Sequence, residues 1–374
     1  MKSVYIIVVL LVMVVIGGTF TNTNAIPVGS RSKTERFKNI PAMDGLQRTE
    51  RDDIHIASHK TSRKHRFFEG KINLQSPERY MVTLSRVTNA YMVISSPGYY
   101  ELTVDLIDSD YTVGIYINAS DVIFNGNGHL LDAIDNESTY GIWIDNADNV
   151  TIENITIQDW GIGVYVNKSS KCRIIECDVV SINGTGIYLD ETYSTNITDC
   201  VVRTNNAIGI YLCNSSRNLI EGNIIEDNNI DGVRIHKSSY NNVIIQNNIR
   251  GNRYYGINIG SIGSPSPNTY ISNNTIKNHE AGIIVFYSSN TTIVNTTIEN
   301  SDNYGIELYS SYQATIINNI IKNTTDPDWG AIHASSSGNI TIVGNKIIDN
   351  AQGIHLYNGN NGNITNNMLV NSNI

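Results

Sequence analysis

Apolar and polar residues alternate along this chain in short bursts, and the bursts recur. The burst Gly186-Ile187-Tyr188-Leu189 has counterparts starting at Gly114, Gly141, Gly163, Gly209, Gly232, Gly256, Gly282, Gly305, Ala331 and Gly353. Successive starts lie 27, 22, 23, 23, 23, 24, 26, 23, 26 and 22 residues apart. A near-constant period of that size defines a solenoid, and alternation with a period of two belongs to a half-buried strand. About eleven residues after the glycine comes a second burst, as in Thr151-Ile152, Thr292-Ile293, Thr315-Ile316 and Thr341-Ile342. A third apolar position follows within a few residues, as Ile157, Ile225, Ile298, Ile321 and Ile347. No stretch carries the helical period. Three short strands in about 23 residues predict an all-β fold, a right-handed parallel β-helix of about 11 coils over residues 114–374. The Leu-x-x-Leu-x-Leu spacing of leucine-rich repeats is absent, as are the six-residue sub-repeats of left-handed β-helices.

Each column of the repeat has a physical task. The Ile and Val columns are expected inside, stacked coil on coil. The leading glycine suits a bend that needs positive φ or close backbone approach. Asn154, Asn223, Asn295, Asn319, Asn345 and Asn367 are expected to form a buried amide ladder at the second bend. Uneven steps place insertions in loops at 130–140, 260–268 and 324–329, and loops on a rigid scaffold often carry function. Upstream, residues 72–113 read as capping strands and a first coil, with Tyr80–Leu84, Tyr91–Ile94 and Tyr99–Ile107 extended around the turn Ser95-Ser96-Pro97-Gly98. At the other end, Asn371–Ile374 stops inside a coil. An uncapped solenoid end implies either self-association there or a longer natural chain.

Composition changes this picture at the N-terminus. Lys2 precedes 13 apolar or aromatic residues, Val4–Ile16, and Thr23-Asn24-Ala25 offers small residues for cleavage. This predicts an export signal over residues 1–25, because the run is short of the roughly 20 residues a membrane span needs. A secreted or cell-surface protein with no membrane span after signal removal is the expectation. Residues 26–71 lack an apolar period and carry basic runs such as Arg63-Lys64-His65-Arg66, which read as a solvated tether or a dock for acidic glycans or phospholipid. Against the whole-chain charge of −9, this arm is basic and the remaining body strongly acidic. An acidic body argues against nucleic acid as a partner.

Cys172, Cys177, Cys200 and Cys213 form no C-x-x-C spacing, which argues against zinc or redox motifs. Cys177 and Cys200 occupy equivalent places in neighbouring repeats. They read either as a disulfide, which export allows, or as two buried thiols in the place of Asn. Fourteen Asn-x-Ser/Thr triplets occur, of which the loop sites Asn136 and Asn323 are the credible glycosylation acceptors.

Ser95-Ser96-Pro97-Gly98-Tyr99-Tyr100-Glu101-Leu102, followed by Ile117-Asn118-Ala119-Ser120-Asp121-Val122-Ile123-Phe124-Asn125-Gly126-Asn127-Gly128-His129, resembles the NosD-like, or carbohydrate-binding and sugar-hydrolase, class of right-handed parallel β-helices. The resemblance runs from about Val93 to the end. It implies an exported β-helix of the cell surface. It does not imply copper chemistry, since no Met/His/Cys cluster maps to metal delivery, and no cofactor is expected.

Candidate chemistry sits two residues after each glycine, a column expected to face solvent. It reads Tyr116, Trp143, Tyr165, Tyr188 and Tyr211, then Arg234, Asn258, Ile284, Glu307, His333 and His355. Flat aromatic faces stack on sugar rings, and the neighbouring column supplies Asn118, Asp145, Asn167 and Asp190 for sugar hydroxyls. The run reads as a polysaccharide or cell-envelope glycan platform. Cross-strand packing, coverage by another segment, or a catalytic groove are the other readings. Asp190, Arg234 and His236 are the catalytic candidates for a hydrolase or lyase, with Asp145 farther up. The motifs of polygalacturonases, alginate epimerases and calcium-dependent pectate lyases are otherwise missing. His333 and His355, in adjacent coils, could share a metal but show no third ligand.

Overall fold

The computed structural model describes residues 80–81, 92–359 and 361–372. The expected signal, the basic arm and most of the capping segment through residue 91 lie outside the described residues. Among the described residues every regular element is a strand, and the strands pair in parallel, one coil forward and one coil back.

Each coil has three faces. In one turn the first face is Arg173–Ile175, the second Asp178–Val180 and the third Thr185–Asp190. Among the described residues the first faces form a sheet of thirteen strands, running from Tyr80–Met81 to Asn363–Thr365. Register is kept residue for residue, so that Ile174 lies between Ile152 and Ile197. Four long strands, Leu130–Asp145, Thr156–Asn167, Thr275–Phe286 and Thr297–Tyr309, stay extended through the corner and join the second and third faces. Upstream, the expected strand Tyr99–Ile107 is broken into Gly98–Glu101 and Leu106–Ser109, because the chain turns a solenoid corner there.

The interior is narrow and aliphatic. Ile152, Ile157, Val164, Ile174, Val179 and Ile187 are fully buried, one per face and coil, and each such burial contributes about 1.5–3 kcal/mol. The leading glycines of the third face do not have positive φ. They permit close approach instead. A Cβ on Gly209 would stand 2.7 Å from the carbonyl oxygen of Gly232 and 2.8 Å from Asn228 Nδ2.

The bends correct the expected ladder. Asn154 and Asn295 are exposed and left-handed, with φ of 53° and 48°. They belong to a bend column that continues through Glu176, Asp199, Gly222, Gln246, Asn273 and Asn318, all with positive φ. The amide ladder is the next column along. Asn223 Nδ2 donates to Asn247 Oδ1 at 2.9 Å, and Asn247 Nδ2 to Asn274 Oδ1 at 3.0 Å. After Thr296 it resumes at Asn319, Asn345 and Asn367. Cys177 and Cys200 stand in this ladder as free, buried thiols, and no bridge joins them. The thiol of Cys200 points at the carbonyl oxygen of Ile174 at 3.5 Å, where an Asn would place its amide, while Cys200 N donates to Asn223 Oδ1. A second ladder, of hydroxyls, runs along another corner, as Thr192 N to Ser215 Oγ and Ser215 N to Ser239 Oγ.

Candidate functional site

The third face carries the sequence-selected residues. Glycine and the residue after it both turn inward, so the outward columns are the residue before glycine and those two and four after it. The register puts Tyr116, Trp143, Tyr165, Tyr188 and Tyr211 side by side on consecutive coils. All five are half-buried.

Their geometry changes what they can do. The rings pack on one another: Trp143–Tyr165 at 5.6 Å, Tyr165–Tyr188 at 5.2 Å and Tyr188–Tyr211 at 4.9 Å with only 15° between planes. Tyr116 meets Trp143 edge-on at 5.4 Å. Ring faces spent on neighbours are not open platforms, and the ring edges and polar tips remain. Tyr116 donates its hydroxyl to Asp145 at 2.9 Å, and Tyr165 to Asp190 at 3.3 Å. Asn167 Nδ2 gives a second bond to Asp145 at 2.7 Å. Trp143 Nε1 is buried without a hydrogen-bond partner. Burial, with Asp190 and Cys213 alongside, holds the hydroxyls of Tyr188 and Tyr211 well above the usual tyrosine range. Burial also raises the Asp190 carboxyl.

The expected trio of Asp190, Arg234 and His236 is not assembled. Cys213 lies between Asp190 and His236 in the register. Arg234 pairs with Asp231 at 2.7 Å, within its own coil. His236 faces Asn258 Oδ1 at 3.4 Å and meets Tyr211 edge-on. Burial first, then the Arg234 charge, depress its imidazole to about 4, so it is neutral near pH 7.

Two features escaped the sequence reading. Tyr140, directly before Gly141, stacks on Trp143 at 5.0 Å and on Tyr165 at 5.3 Å. Its signal was an aromatic at the place before glycine, where most coils carry none. The lower half of the column, expected to face solvent, is instead largely covered. Asn258, Ile284, Glu307 and His333 are buried, and the rings of Tyr304 and Trp329 pack against His333. His333 and His355 do face each other, ring to ring at 5.1 Å. Among the described residues no group of three His, Cys, Asp or Glu side chains is arranged to hold a metal. Asn136 and Asn323 are both exposed, although Asn323 Nδ2 is engaged by Asn300 Oδ1 at 3.0 Å. A surface cavity of about 320 Å³ lies elsewhere, at the bend between the first and second faces around Asn248, Arg250 and Lys277.

This fold and this face define a parallel β-solenoid whose third sheet bears an aromatic and carboxylate stripe. The family profile described as "Right handed beta helix region" matches residues 103–249 and 239–374, so the chain belongs to that family. Among solved structures it is similar to the Dettilon tailspike protein, at 16% identity and a TM-score of 0.58, with 74% of this chain and 60% of that chain covered. It is also similar to the periplasmic alginate epimerase AlgG, at 15% identity and a TM-score of 0.51, covering 74% of this chain and 70% of that chain. The chain therefore spans less than two thirds of the tailspike's length. At such identities the likeness is one of fold. A comparison with curated proteins finds no match.

Proposed function

We propose that this protein binds a linear glycan along its third face without cleaving it, as an adhesion or envelope component exported to the cell surface. The observation that carries the reading is the continuous stripe from Tyr116 to Tyr211, locked to Asp145 and Asp190. A polymer laid along the axis meets an aromatic ring edge about every 4.8 Å, and a carboxylate, Asp145 or Asp190, on alternate coils. Contact is edge-on, with hydrogen bonds to Asp145 and Asp190, because the ring faces are occupied. The N-terminal export signal, the NosD-like resemblance and two related folds whose names concern a tailspike and an alginate epimerase support the same reading. Non-catalytic binding is favoured over hydrolysis or elimination because Arg234 is committed to Asp231 and His236 to Asn258. Retention on insoluble or arrayed polysaccharide, scored together with released reducing ends and unsaturated products, tests it. Retention without release is expected, and Tyr188→Ala with Tyr211→Ala should reduce it at least tenfold. Unchanged retention in that double variant would remove the stripe from the binding surface, and product release abolished by Asp190→Asn would make the protein an enzyme.

A further inference from the structure

Below the stripe, the same outward column becomes a covered polar cluster. Glu307 and His333 are neighbours in register and are only 8% and 4% exposed. Alternation points them away from the core, but longer coils fold side chains over them. Tyr304 stacks on the His333 imidazole at 5.4 Å and 13°. Trp329, from the 324–329 insertion, lies 5.1 Å from it.

Neither ring nitrogen of His333 has a hydrogen bond, and its nearest charged atom is Glu307 Oε1 at 3.8 Å. Buried polar groups are normally partnered, so a bare buried imidazole marks a place where a ligand atom completes the structure. The charge around it is one-sided. Glu307, Asp326 and Glu280 all act on the Tyr304 hydroxyl. Asp231 stands beside Tyr255, answered by Arg234. Four carboxylates against one guanidinium leave an acidic cluster flanked by aromatic rings, the surroundings that stabilise an ammonium group.

We propose that the Glu307–His333 cluster is a subsite for the protonated amine of an amino sugar that lacks N-acetylation. This rests on the glycan-binding reading of the third face and adds the class of sugar. Glu307 supplies the countercharge, a bare His333 nitrogen accepts a hydrogen bond from the ammonium, and Tyr304 and Trp329 flank it. A hexuronate would meet like charge here, and an N-acetyl group would bring bulk without charge.

The test titrates full-length protein with glucosamine oligomers and with N-acetylglucosamine oligomers of equal length. Wild type should bind the free-amine series at least tenfold tighter, with a preference that shrinks as salt rises. Glu307→Gln should erase that preference while leaving the acetylated series unchanged, and the surface change Trp329→Leu should weaken it. Equal affinity for both series, tighter binding of hexuronate oligomers, or a preference intact in Glu307→Gln would overturn the subsite. Glucosamine monomer, followed by saturation-transfer NMR, separates the two readings. Glu307-dependent monomer binding without polymer retention would sink the stripe alone. Polymer retention that ignores the amine would sink the subsite alone.

Discussion

A single-residue offset decides what the asparagines do. Asn154 and Asn295 lie one place before the ladder and take left-handed φ at the bend. That conformation costs most residues about 1–2 kcal/mol, and Asn and Asp tolerate it through local hydrogen bonding. Most non-glycine residues with positive φ here are Asn or Asp, so the asparagine-rich composition reflects bends as much as ladders. The cysteines show the same economy of position. Cys177 and Cys200 hold ladder places with polar contacts that an amide would otherwise make. Burial pushes the Cys172 thiol up to about 11, and the thiol of Cys177, beside Cys200, is also raised well above the usual value. Thiol titration of protein unfolded without reductant should therefore count four free cysteines, and the folded protein should react far more slowly. A count of two would mean that one bridge forms.

Among elements, the inward aliphatic columns and the polar ladders do different work. The aliphatic columns contribute burial, while the ladders satisfy backbone groups that three corners per coil leave exposed to the interior. Asn247 illustrates the coupling between coils. Its Nδ2 donates to Ile220 O and Asn274 Oδ1, and its Oδ1 accepts from Asn223 N and Nδ2. Asn247→Ala orphans several buried groups at about 1–3 kcal/mol each, so the denaturation midpoint should fall clearly. Asn273→Gly, in the left-handed bend one residue before the ladder, should leave the midpoint nearly unchanged. Equal losses in both variants would show that the ladder assignment is wrong. The aromatic stripe is also an element in this sense. Its stacked pairs add about 0.5–1.5 kcal/mol each beyond area burial, so its rings serve the sheet and present their polar tips at the same time.

At the scale of the molecule, stability should respond to pH through histidines kept neutral by burial. The His236 imidazole is lowered from 6.5 to about 4, and that of His279 is also lowered. Between those values the unfolded chain binds more protons than the folded one, so stability falls as pH drops from about 6.5 towards about 4. For His236 the loss is at most roughly 3 kcal/mol. Asp190, raised by burial, works in the opposite direction. Thermal unfolding from pH 7 to pH 5 should show a falling midpoint, and His236→Asn should flatten the slope; an unaltered slope in that variant would exclude His236 as a source. The repeat period, the strand nature of each segment, the inward Ile and Val columns and the aromatic column of the third face were all legible in the sequence. They follow from local spacing, which one sequence carries in full. The sequence could not tell a ladder place from the bend place beside it, because Asn suits both and only φ separates them. Nor could it show that the tyrosines spend their faces on each other, or that Tyr304 and Trp329 close over Glu307 and His333. Those outcomes depend on how side chains from different coils share one surface, and the tertiary structure alone sets that. The Gly-Ile-Tyr-Leu burst fixed which residues line the third face, and the packing between coils decided which of their atoms remain exposed.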